Sequence, residues 1–259
     1  MRFVITGAAS GIGRACAELL CDGKTLPGTH QMLLADRDAD NLANVTAQLG
    51  DRAACEVVDL SDLDCGERIV DAAVRHMGGI DAAISNAGVI MGGALVDLEP
   101  DQFDAIYAIN TRATWLIAKA AHPHLRESRG AFVATASMSA TQPTPALGFY
   151  SSSKAALLML VRQLALEWGP DRIRCNTVSP GPTYTPMTKA GYDDEQRRRQ
   201  REANIPLGKL GVAEDVANAI LFLCSPQAGH INGIDILVDG GMSNMLMPAT
   251  GGGTGQTPR

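Results

Sequence analysis

Short apolar runs alternate with longer amphipathic stretches along almost the whole chain. The short runs predict strands that are buried on both faces, because such strands need no alternating polar positions. The longer stretches, in which apolar residues recur every three or four positions, predict helices. The predicted strands are residues 3–5, 31–35, 54–58, 82–85, 131–135, 173–178 and 234–238. The predicted helices between them are residues 13–20, 40–49, 63–77, 103–122, 150–168 and 213–224.

Strands and helices in regular alternation favour a parallel sheet that carries helices on both faces. We therefore predict an α/β protein with a doubly wound, mostly parallel sheet of seven strands. No change of composition divides the chain, so residues 1–245 are predicted to form a single domain. The glycine-rich residues 246–259 are predicted to be a flexible tail, and residues 21–30 form an insertion of unassigned role.

Composition and charge exclude several classes of protein. The 259 residues are 46% hydrophobic and 19% charged, with a formal net charge of −6. An acidic chain does not favour nucleic-acid binding, which requires cations that neutralise phosphates. No apolar run approaches the roughly 20 residues of a membrane span. The chain begins directly with a strand and a turn, without a signal sequence, so we predict a cytoplasmic protein.

The cysteines and histidines show no spacing typical of a metal site. None of the six cysteines forms a C-x-x-C pair. His122 and His124 have no carboxylate or cysteine at ligand spacing, and no metal is predicted. The basic residues 197–201 follow a short acidic stretch. This pattern favours an exposed helix face, and a mobile lid over a substrate site is the alternative.

A glycine-rich turn, residues 6–13, lies between the first predicted strand and the first helix. Such glycines let the backbone approach a pyrophosphate, and the helix start offers free N–H groups and its positive dipole end. This setting predicts a dinucleotide site. Asp36 ends the second strand and is placed to bind the ribose hydroxyls and to repel a 2′-phosphate, which favours NAD over NADP. Arg37 argues in the opposite direction, because an arginine there could bind that phosphate.

Tyr150 and Lys154 stand four residues apart in a predicted helix and therefore share a face. A tyrosine is a poor base at its ordinary pKa of about 10. A nearby ammonium group favours the tyrosinate and so lowers that pKa. The pair is thus a candidate general base for a hydroxyl proton. Ser137 follows the fifth strand, and its hydroxyl is placed to hold the substrate oxygen beside Tyr150.

These motifs together resemble the classical short-chain dehydrogenase/reductase family, and the resemblance covers roughly residues 3–243. The pattern T-G-x-x-x-G-x-G stands at residues 6–13, N-A-G at 86–88, P-G at 180–181 and D-G-G at 239–241. The family pair Y-x-x-x-K is Tyr150 and Lys154, with Ser137 at the usual distance before the tyrosine. The resemblance implies a Rossmann fold and hydride transfer between a nicotinamide cofactor and a carbon that bears oxygen.

The resemblance also implies individual roles. Asn110 would complete a catalytic tetrad with Ser137, Tyr150 and Lys154 by holding a water in a proton relay to the lysine. The implied cofactor-binding residues are Gly7, Ser10, Gly11, Ile12, Gly13, Asp36, Arg37, Asp59, Leu60, Asn86, Ala87, Gly88, Tyr150, Lys154, Pro180, Gly181, Thr183 and Thr185. Family members are often homotetramers, so a homo-oligomer, tetramer or dimer, is expected.

Residues 89–93, 138–149 and 184–201 are expected to line the substrate side by family position. The candidate substrate residues are Met91, Met138, Leu147, Phe149, Tyr184, Met187 and Tyr192. They indicate an apolar pocket for an alicyclic, aromatic or steroid-like secondary alcohol or ketone. No arginine stands out there for an acidic substrate.

The favoured hypothesis is an NAD-dependent dehydrogenase acting on a secondary alcohol or ketone. An NADP-dependent carbonyl reductase is the first alternative, and Asp36 argues against it. A dinucleotide-binding sensor without catalysis is the second, and the presence of Ser137, Tyr150 and Lys154 argues against that.

Overall fold

The structure, a computed structural model, describes residues 1–245. The predicted tail at 246–259 lies outside the described residues. Seven strands form one parallel sheet in the order β3-β2-β1-β4-β5-β6-β9. These strands are β1 (Arg2–Thr6), β2 (Gln31–Asp36), β3 (Ala53–Val57), β4 (Ala82–Ser85), β5 (Ala131–Thr135), β6 (Arg174–Pro180) and β9 (Asp235–Val238).

The strand order reverses at β1, which pairs with β2 on one side and with β4 on the other. In the register, Val4 lies opposite Leu33 of β2 and Ala83 of β4. The connections from β1 therefore leave in opposite directions and open a crevice at the carboxyl ends of the strands. The predicted doubly wound, seven-stranded parallel sheet is confirmed.

Helices cover both faces of the sheet because successive strand residues point to opposite sides. Phe3 and Ile5 belong to one apolar cluster, and Val4 belongs to the other. On the first face lie α1 (Gly11–Asp22), α2 (Ala39–Leu49) and α9 (Ala213–Cys224). On the second face lie α3 (Cys65–Met77), α5 (Ala113–Ser128) and α6 (Tyr150–Trp168). Within residues 1–245, no helix is long and apolar enough to cross a bilayer.

The helix predicted at residues 103–122 differs from the observed one. The structure has α4 (Pro100–Tyr107), a π-helical turn (Ala108–Arg112) and then α5, which continues to Ser128. Pro100 starts the helix early because a proline at the first helical position loses no internal hydrogen bond. His122 therefore lies inside a helix rather than near its end, and its ring nitrogen is 3.1 Å from Asp171.

Four short elements that the sequence pattern did not predict as separate units follow β6. They are β7 (Thr183–Tyr184), α7 (Lys189–Tyr192), α8 (Glu195–Glu202) and β8 (Gly211–Val212). β7 and β8 pair in parallel as a separate small sheet. Elements of two to eight residues are too short to show a hydrophobic period. They stand over the carboxyl end of β6, which places them beside the crevice.

The insertion at residues 21–30 is a packed loop. Gly23 ends α1 with φ +69°, a left-handed conformation that favours glycine. His30 is buried and forms a 2.9 Å hydrogen bond with the carbonyl oxygen of Leu26. Its ring also meets Phe3 of β1 edge-on, with centroids 5.5 Å apart. These contacts hold the loop against the core, away from the crevice.

Candidate active site

A cavity of about 720 Å³ opens at the carboxyl ends of the strands. It runs from the glycine turn after β1 to Met242 beyond β9. A volume of this size is typical of small-molecule and cofactor sites. The predicted cofactor residues that line it are Gly7, Ser10, Gly11, Ile12, Asp36, Arg37, Asp59, Leu60, Asn86, Ala87, Gly88, Tyr150, Lys154, Pro180, Gly181, Thr183 and Thr185.

The glycine turn fits a pyrophosphate. Gly7 and Gly11 have φ values of +68° and +53°, which other residues adopt only with strain. The backbone N–H groups of Ser10, Gly11 and Ile12 line the cavity at the start of α1 and have no acceptor among residues 1–245. A helix N-terminus with free N–H groups binds anions. Thr185 lies beside the glycine turn, since a Cβ built on Gly11 would be 3.7 Å from its side chain.

Gly13 differs from the other glycines of the turn. It is buried and does not line the cavity. A Cβ at this position would lie 2.2 Å from the carbonyl oxygen of Gly7 and 2.8 Å from the Asn86 amide nitrogen. Its place in the pattern is therefore explained by close packing of α1 on the turn and not by contact with a cofactor.

The end of β2 carries a fixed carboxylate. Asp36 accepts hydrogen bonds from the backbone N–H groups of Ala9 at 3.0 Å and Asp38 at 3.1 Å. The two bonds hold the carboxylate under the glycine turn. Asp59 is fixed in a similar way by the N–H of Ser61 at 2.8 Å. That bond, with a smaller effect from the nearby Arg37 guanidinium, lowers the pKa of Asp59.

Asn86 joins three strands at the point where the sheet order reverses. Its amide nitrogen donates to the carbonyl oxygen of Thr6 at 3.2 Å, and its amide oxygen accepts from the Thr135 hydroxyl at 3.0 Å. The Thr6 hydroxyl accepts from the backbone N–H of Asn86 at 3.0 Å. Asn86 thus ties the ends of β1, β4 and β5 together and shapes the floor of the cavity.

Lys154 is buried in the first part of α6, with 3% of its surface exposed. Its ammonium group donates to the carbonyl oxygen of Thr135 at 2.8 Å. Burial disfavours the charged form and lowers the pKa of Lys154 to about 8. The amine can therefore gain or lose a proton close to neutral pH.

Tyr150 is the first residue of α6 and lies in the same cavity. Burial raises the pKa of the Tyr150 phenol, and the neighbouring Ser137 hydroxyl opposes that rise. The sequence predicted a pKa lowered by Lys154. The structure differs from that expectation, because burial has the largest effect on the phenol and Lys154 is not among the groups that shift its pKa.

Ser137 follows β5 and is held in a defined orientation. Its hydroxyl oxygen accepts a 3.1 Å hydrogen bond from the backbone N–H of Ser139. In this bond the hydroxyl oxygen is the acceptor, and the hydroxyl proton takes no part in it. The proton is therefore available to a substrate oxygen in the cavity. The structure brings Ser137, Tyr150 and Lys154 to one wall of the cavity.

Asn110 is buried behind that wall, in the π-helical turn. Its amide oxygen accepts from the N–H of Val89 at 2.8 Å. Its amide nitrogen donates to the carbonyl oxygen of Val89 and to the Ser153 hydroxyl, each at 3.0 Å. Both amide hydrogens are therefore used by protein partners. The amide oxygen approaches Lys154 across Gly88, where a Cβ would lie 3.2 Å from each of them.

The substrate residues predicted from the sequence divide into two groups. Met138, Leu147, Met187 and Tyr192 line the cavity. Met91, Phe149 and Tyr184 do not. The ring of Phe149 packs instead against Phe103, with centroids 5.1 Å apart, in a neighbouring apolar depression.

Tyr184 turns to the surface because its hydroxyl donates to Asp193 at 3.0 Å. The exposed helix face predicted for residues 197–201 is confirmed, because four of the five side chains are exposed and Arg198 is half-buried. Arg201 is exposed and also lines the cavity. The alternative hypothesis for these basic residues, a mobile lid over a substrate site, had placed them near the substrate. Within residues 1–245, no group of three or more metal-ligand side chains could hold an ion.

The family model described as enoyl-(acyl carrier protein) reductase matches residues 7–243. The structure of a short-chain dehydrogenase/reductase (glucose/ribitol dehydrogenase) from Brucella melitensis superposes with a TM-score of 0.86 at 33% identity. The match covers 93% of this chain and 95% of that one. The chain belongs to the short-chain dehydrogenase/reductase family. The family resemblance of the sequence is therefore confirmed.

Two further members of this short-chain dehydrogenase/reductase family bear on the cofactor. L-rhamnose 1-dehydrogenase (NAD(P)(+)) of Azotobacter vinelandii is 34% identical and covers 92% of this chain and 95% of its own. The 3-ketoacyl-(acyl-carrier-protein) reductase of Brucella melitensis, whose structure contains NADH, has a TM-score of 0.84 at 30% identity, over 93% of this chain and 97% of that one. The protein is thus an oxidoreductase that acts on a CH–OH group with a pyridine nucleotide.

Proposed function

We propose that the protein is an NAD-dependent enzyme that interconverts an apolar secondary alcohol and its ketone. The observation that carries this proposal is the position of Ser137, Tyr150 and Lys154 on one wall of a cavity that continues into the glycine turn. When bound there, nicotinamide supplies the acceptor or donor of the hydride. The residues of this chain then bind, orient and handle the proton.

Each catalytic side chain has a distinct task in this proposal. The Ser137 hydroxyl donates a hydrogen bond to the substrate oxygen, because its own oxygen is held by the N–H of Ser139. The Tyr150 phenol oxygen takes the hydroxyl proton during oxidation and returns it during reduction. Lys154 has a pKa of about 8, so its amine nitrogen can exchange that proton near neutral pH. Its position beside Gly88 also favours binding of the nicotinamide ribose.

The preference for NAD follows from the charges at the adenosine end of the cavity. Asp36, Asp38 and Asp59 line this end, against the single guanidinium of Arg37. Because Asp36 is held by two backbone N–H groups, its carboxylate is fixed where it would repel a 2′-phosphate. Arg37 has no ion pair within residues 1–245. An NADP-dependent carbonyl reductase is therefore the second candidate.

The substrate is proposed to carry an apolar ring or chain. Ile90, Met138, Leu147 and Met187 line the cavity, and Met138 directly follows Ser137. These side chains support an alicyclic, aromatic or steroid-like alcohol more than a sugar, although the Azotobacter vinelandii relative is named for rhamnose. Apolar lining favours such ligands because it gains free energy when water is displaced.

Reduced-nicotinamide absorbance with a panel of alcohols tests the proposal. Wild-type protein is given alicyclic, aromatic, steroid and sugar alcohols, each with NAD and with NADP. Tyr150→Phe removes the proton-exchanging oxygen and should lower kcat by a factor of about 100 to 10,000 without changing the Kd for NAD. Tyr107→Phe is the matched control, because Tyr107 stacks on Phe103 at 4.3 Å outside the cavity.

Two outcomes of this assay would contradict the proposal. Full activity in Tyr150→Phe would exclude the phenol as the group that exchanges the proton. NAD binding without turnover of any alcohol, in a protein that is otherwise folded, would support the dinucleotide sensor instead. Higher kcat/KM with NADP than with NAD would favour the carbonyl reductase.

We also propose a homo-oligomer in a reducing compartment such as the cytoplasm. Three large apolar side chains on α5 and α6 are unusually exposed: Trp115 at 44%, Met159 at 61% and Leu166 at 81%. Exposed apolar groups on one layer of helices favour association with another subunit. All six cysteines are free thiols, as expected where thiols stay reduced. Light scattering at several concentrations measures the assembly.

A further inference from the structure

Arg201 stands out among the charged groups of the cavity. It lies in the last turn of α8 and lines the cavity together with Tyr192 and Met242. Its guanidinium has no carboxylate at ion-pair distance and no hydrogen-bond acceptor among the residues that the structure describes. Arg201 is exposed where it lines the cavity, so its guanidinium is accessible both to water and to a ligand.

The acidic residues that precede Arg201 are engaged elsewhere. Asp193 accepts from the Tyr184 hydroxyl at 3.0 Å. Asp194 caps α8 by accepting from the backbone N–H of Arg197 at 2.8 Å. Glu195 forms an ion pair with Arg199, two residues before Arg201. Arg201, like Arg197 and Arg198, has no carboxylate at ion-pair distance among residues 1–245.

Tyr192 adds a second donor at the same place. It is half-buried, it lines the cavity, and its hydroxyl has no hydrogen-bond partner within residues 1–245. Burial raises the pKa of Tyr192, and the positive charge of Arg201 opposes that rise. A phenol and a guanidinium therefore line the same cavity as the apolar residues proposed to receive the substrate.

The position of this pair differs from that of the adenosine end. Asp36, Asp38 and Asp59 follow β2 and β3, on one side of the reversal in strand order. Arg201 and Tyr192 belong to the segment after β6, on the other side. A guanidinium at this second end has no role in the recognition of a 2′-phosphate next to Asp36. An anion bound by Arg201 is therefore a different group, either the pyrophosphate of the cofactor or an acidic group of the substrate.

We propose that Arg201, assisted by the Tyr192 hydroxyl, binds an acidic group of the substrate. The substrate is then a secondary alcohol or ketone whose apolar ring or chain carries a carboxylate, sulfonate or phosphate. The planar guanidinium suits such groups because it donates two parallel hydrogen bonds to two oxygens. This inference rests on the proposed function and corrects the expectation that no arginine serves an acidic substrate.

The test compares acids with their neutral amides. The 2-, 3- and 4-oxocyclohexanecarboxylates and the corresponding carboxamides are offered with NADH, and kcat/KM is measured. Separately, calorimetric titration measures the Kd of cyclohexanecarboxylate and of cyclohexanecarboxamide for protein saturated with NADH. The variants are Arg201→Met, Arg201→Lys and, as the matched control, Arg197→Met, which removes an exposed arginine on the same helix outside the cavity.

The wild type should bind the carboxylate at least about tenfold more tightly than the amide, as expected for hydrogen bonds to a charged group. Arg201→Met should abolish this preference, Arg201→Lys should retain part of it, and Arg197→Met should keep it. Equal affinities in the wild type, or a preference that survives Arg201→Met, would overturn the inference. A loss of NADH affinity in Arg201→Met would also overturn it, because the arginine would then belong to the cofactor site.

The same measurements separate this inference from the proposed function. If the neutral amides are reduced as well as the acids, the oxidoreductase is correct and the acidic substrate is wrong. If the wild type fails to bind NADH, the proposed function fails, and the anion site that depends on it fails as well. Binding of cyclohexanecarboxylate needs no turnover, so it decides the role of Arg201 even when none of the six ketones is reduced.

Discussion

Replacing Lys154 with methionine tests how much the buried amine lowers the free energy of unfolding. Burial lowers the pKa of Lys154 from 10.5 to about 8, whereas in the unfolded chain it keeps its ordinary value of about 10.4. A difference of about 2.5 pKa units corresponds to about 3 kcal/mol. Methionine fills similar space without the charge, but it leaves the carbonyl oxygen of Thr135 without its donor, which costs about 1 kcal/mol.

The sign of the effect depends on pH. Between about pH 8 and pH 10.5 the unfolded chain binds more protons than the folded one at Lys154, so this residue makes the free energy of unfolding rise with pH. Below about pH 8 the wild type bears the full cost of the buried charge. Lys154→Met should therefore be more stable than the wild type by about 2 kcal/mol at pH 7. Above pH 10 it should be less stable by about 1 kcal/mol.

Urea denaturation of the wild type and Lys154→Met at a series of pH values from 6 to 10.5 measures this difference. The comparison is needed because burial also raises the pKa of the thiols of Cys175 and Cys224 to about 12. Those thiols destabilise both proteins equally above pH 9, since the unfolded chain loses their protons first. A variant that is less stable at pH 7, or a difference that does not change with pH, would refute the reasoning.

Three further substitutions, with Gly191→Ala as a control, test the carboxylate after β2, the packing of the glycine turn and the Ser137 hydroxyl. Asp36→Ala removes a carboxylate that repels a 2′-phosphate, so the kcat/KM for NADP relative to NAD should rise by about tenfold or more; an unchanged ratio would exclude that role. Gly13→Ala places a Cβ 2.2 Å from the Gly7 carbonyl oxygen and should lower the free energy of unfolding in urea by about 2 kcal/mol. Gly191→Ala, where nothing lies within 4 Å, should not destabilise, and equal effects would contradict the packing argument. Ser137→Ala should lower kcat about 100-fold with unchanged NAD affinity in a fluorescence titration; wild-type turnover would remove Ser137 from the mechanism.

The fold could be predicted from the sequence because the central strands of its sheet are buried on both faces. Phe3, Val4 and Ile5 are all apolar, and the structure divides them between the two apolar clusters. The π-helical turn could not be predicted, since it depends on distant partners. Asn110 bonds there to Val89 and Ser153, which belong to other segments.

Most cofactor residues could be predicted because local motifs at the carboxyl ends of parallel strands determine their positions. The substrate residues depend on loops, and their directions follow from contacts that the sequence does not show. Ala146, with φ +62°, bends the loop before Leu147, and Leu147 reaches the cavity whereas Phe149 does not. Tyr184 lies outside the cavity because its hydroxyl donates a hydrogen bond to Asp193. Arg201 lines the cavity from a helix whose exposed face the pattern predicted correctly, but the pattern does not show that this face borders the cavity.

The pKa values of Tyr150 and Lys154 are shifted in opposite directions, and both shifts have the same physical cause. Burial favours the neutral form of both groups, so it raises the pKa of the phenol and lowers that of the amine. A lysine with its ordinary pKa would be fully charged near neutral pH and could accept no proton. With a pKa of about 8, Lys154 is partly neutral near that pH and, in the proposed mechanism, receives the proton that Tyr150 takes from an alcohol. Lys154→Met removes both effects of the buried amine, so we expect the variant to gain stability at pH 7 and to lose turnover.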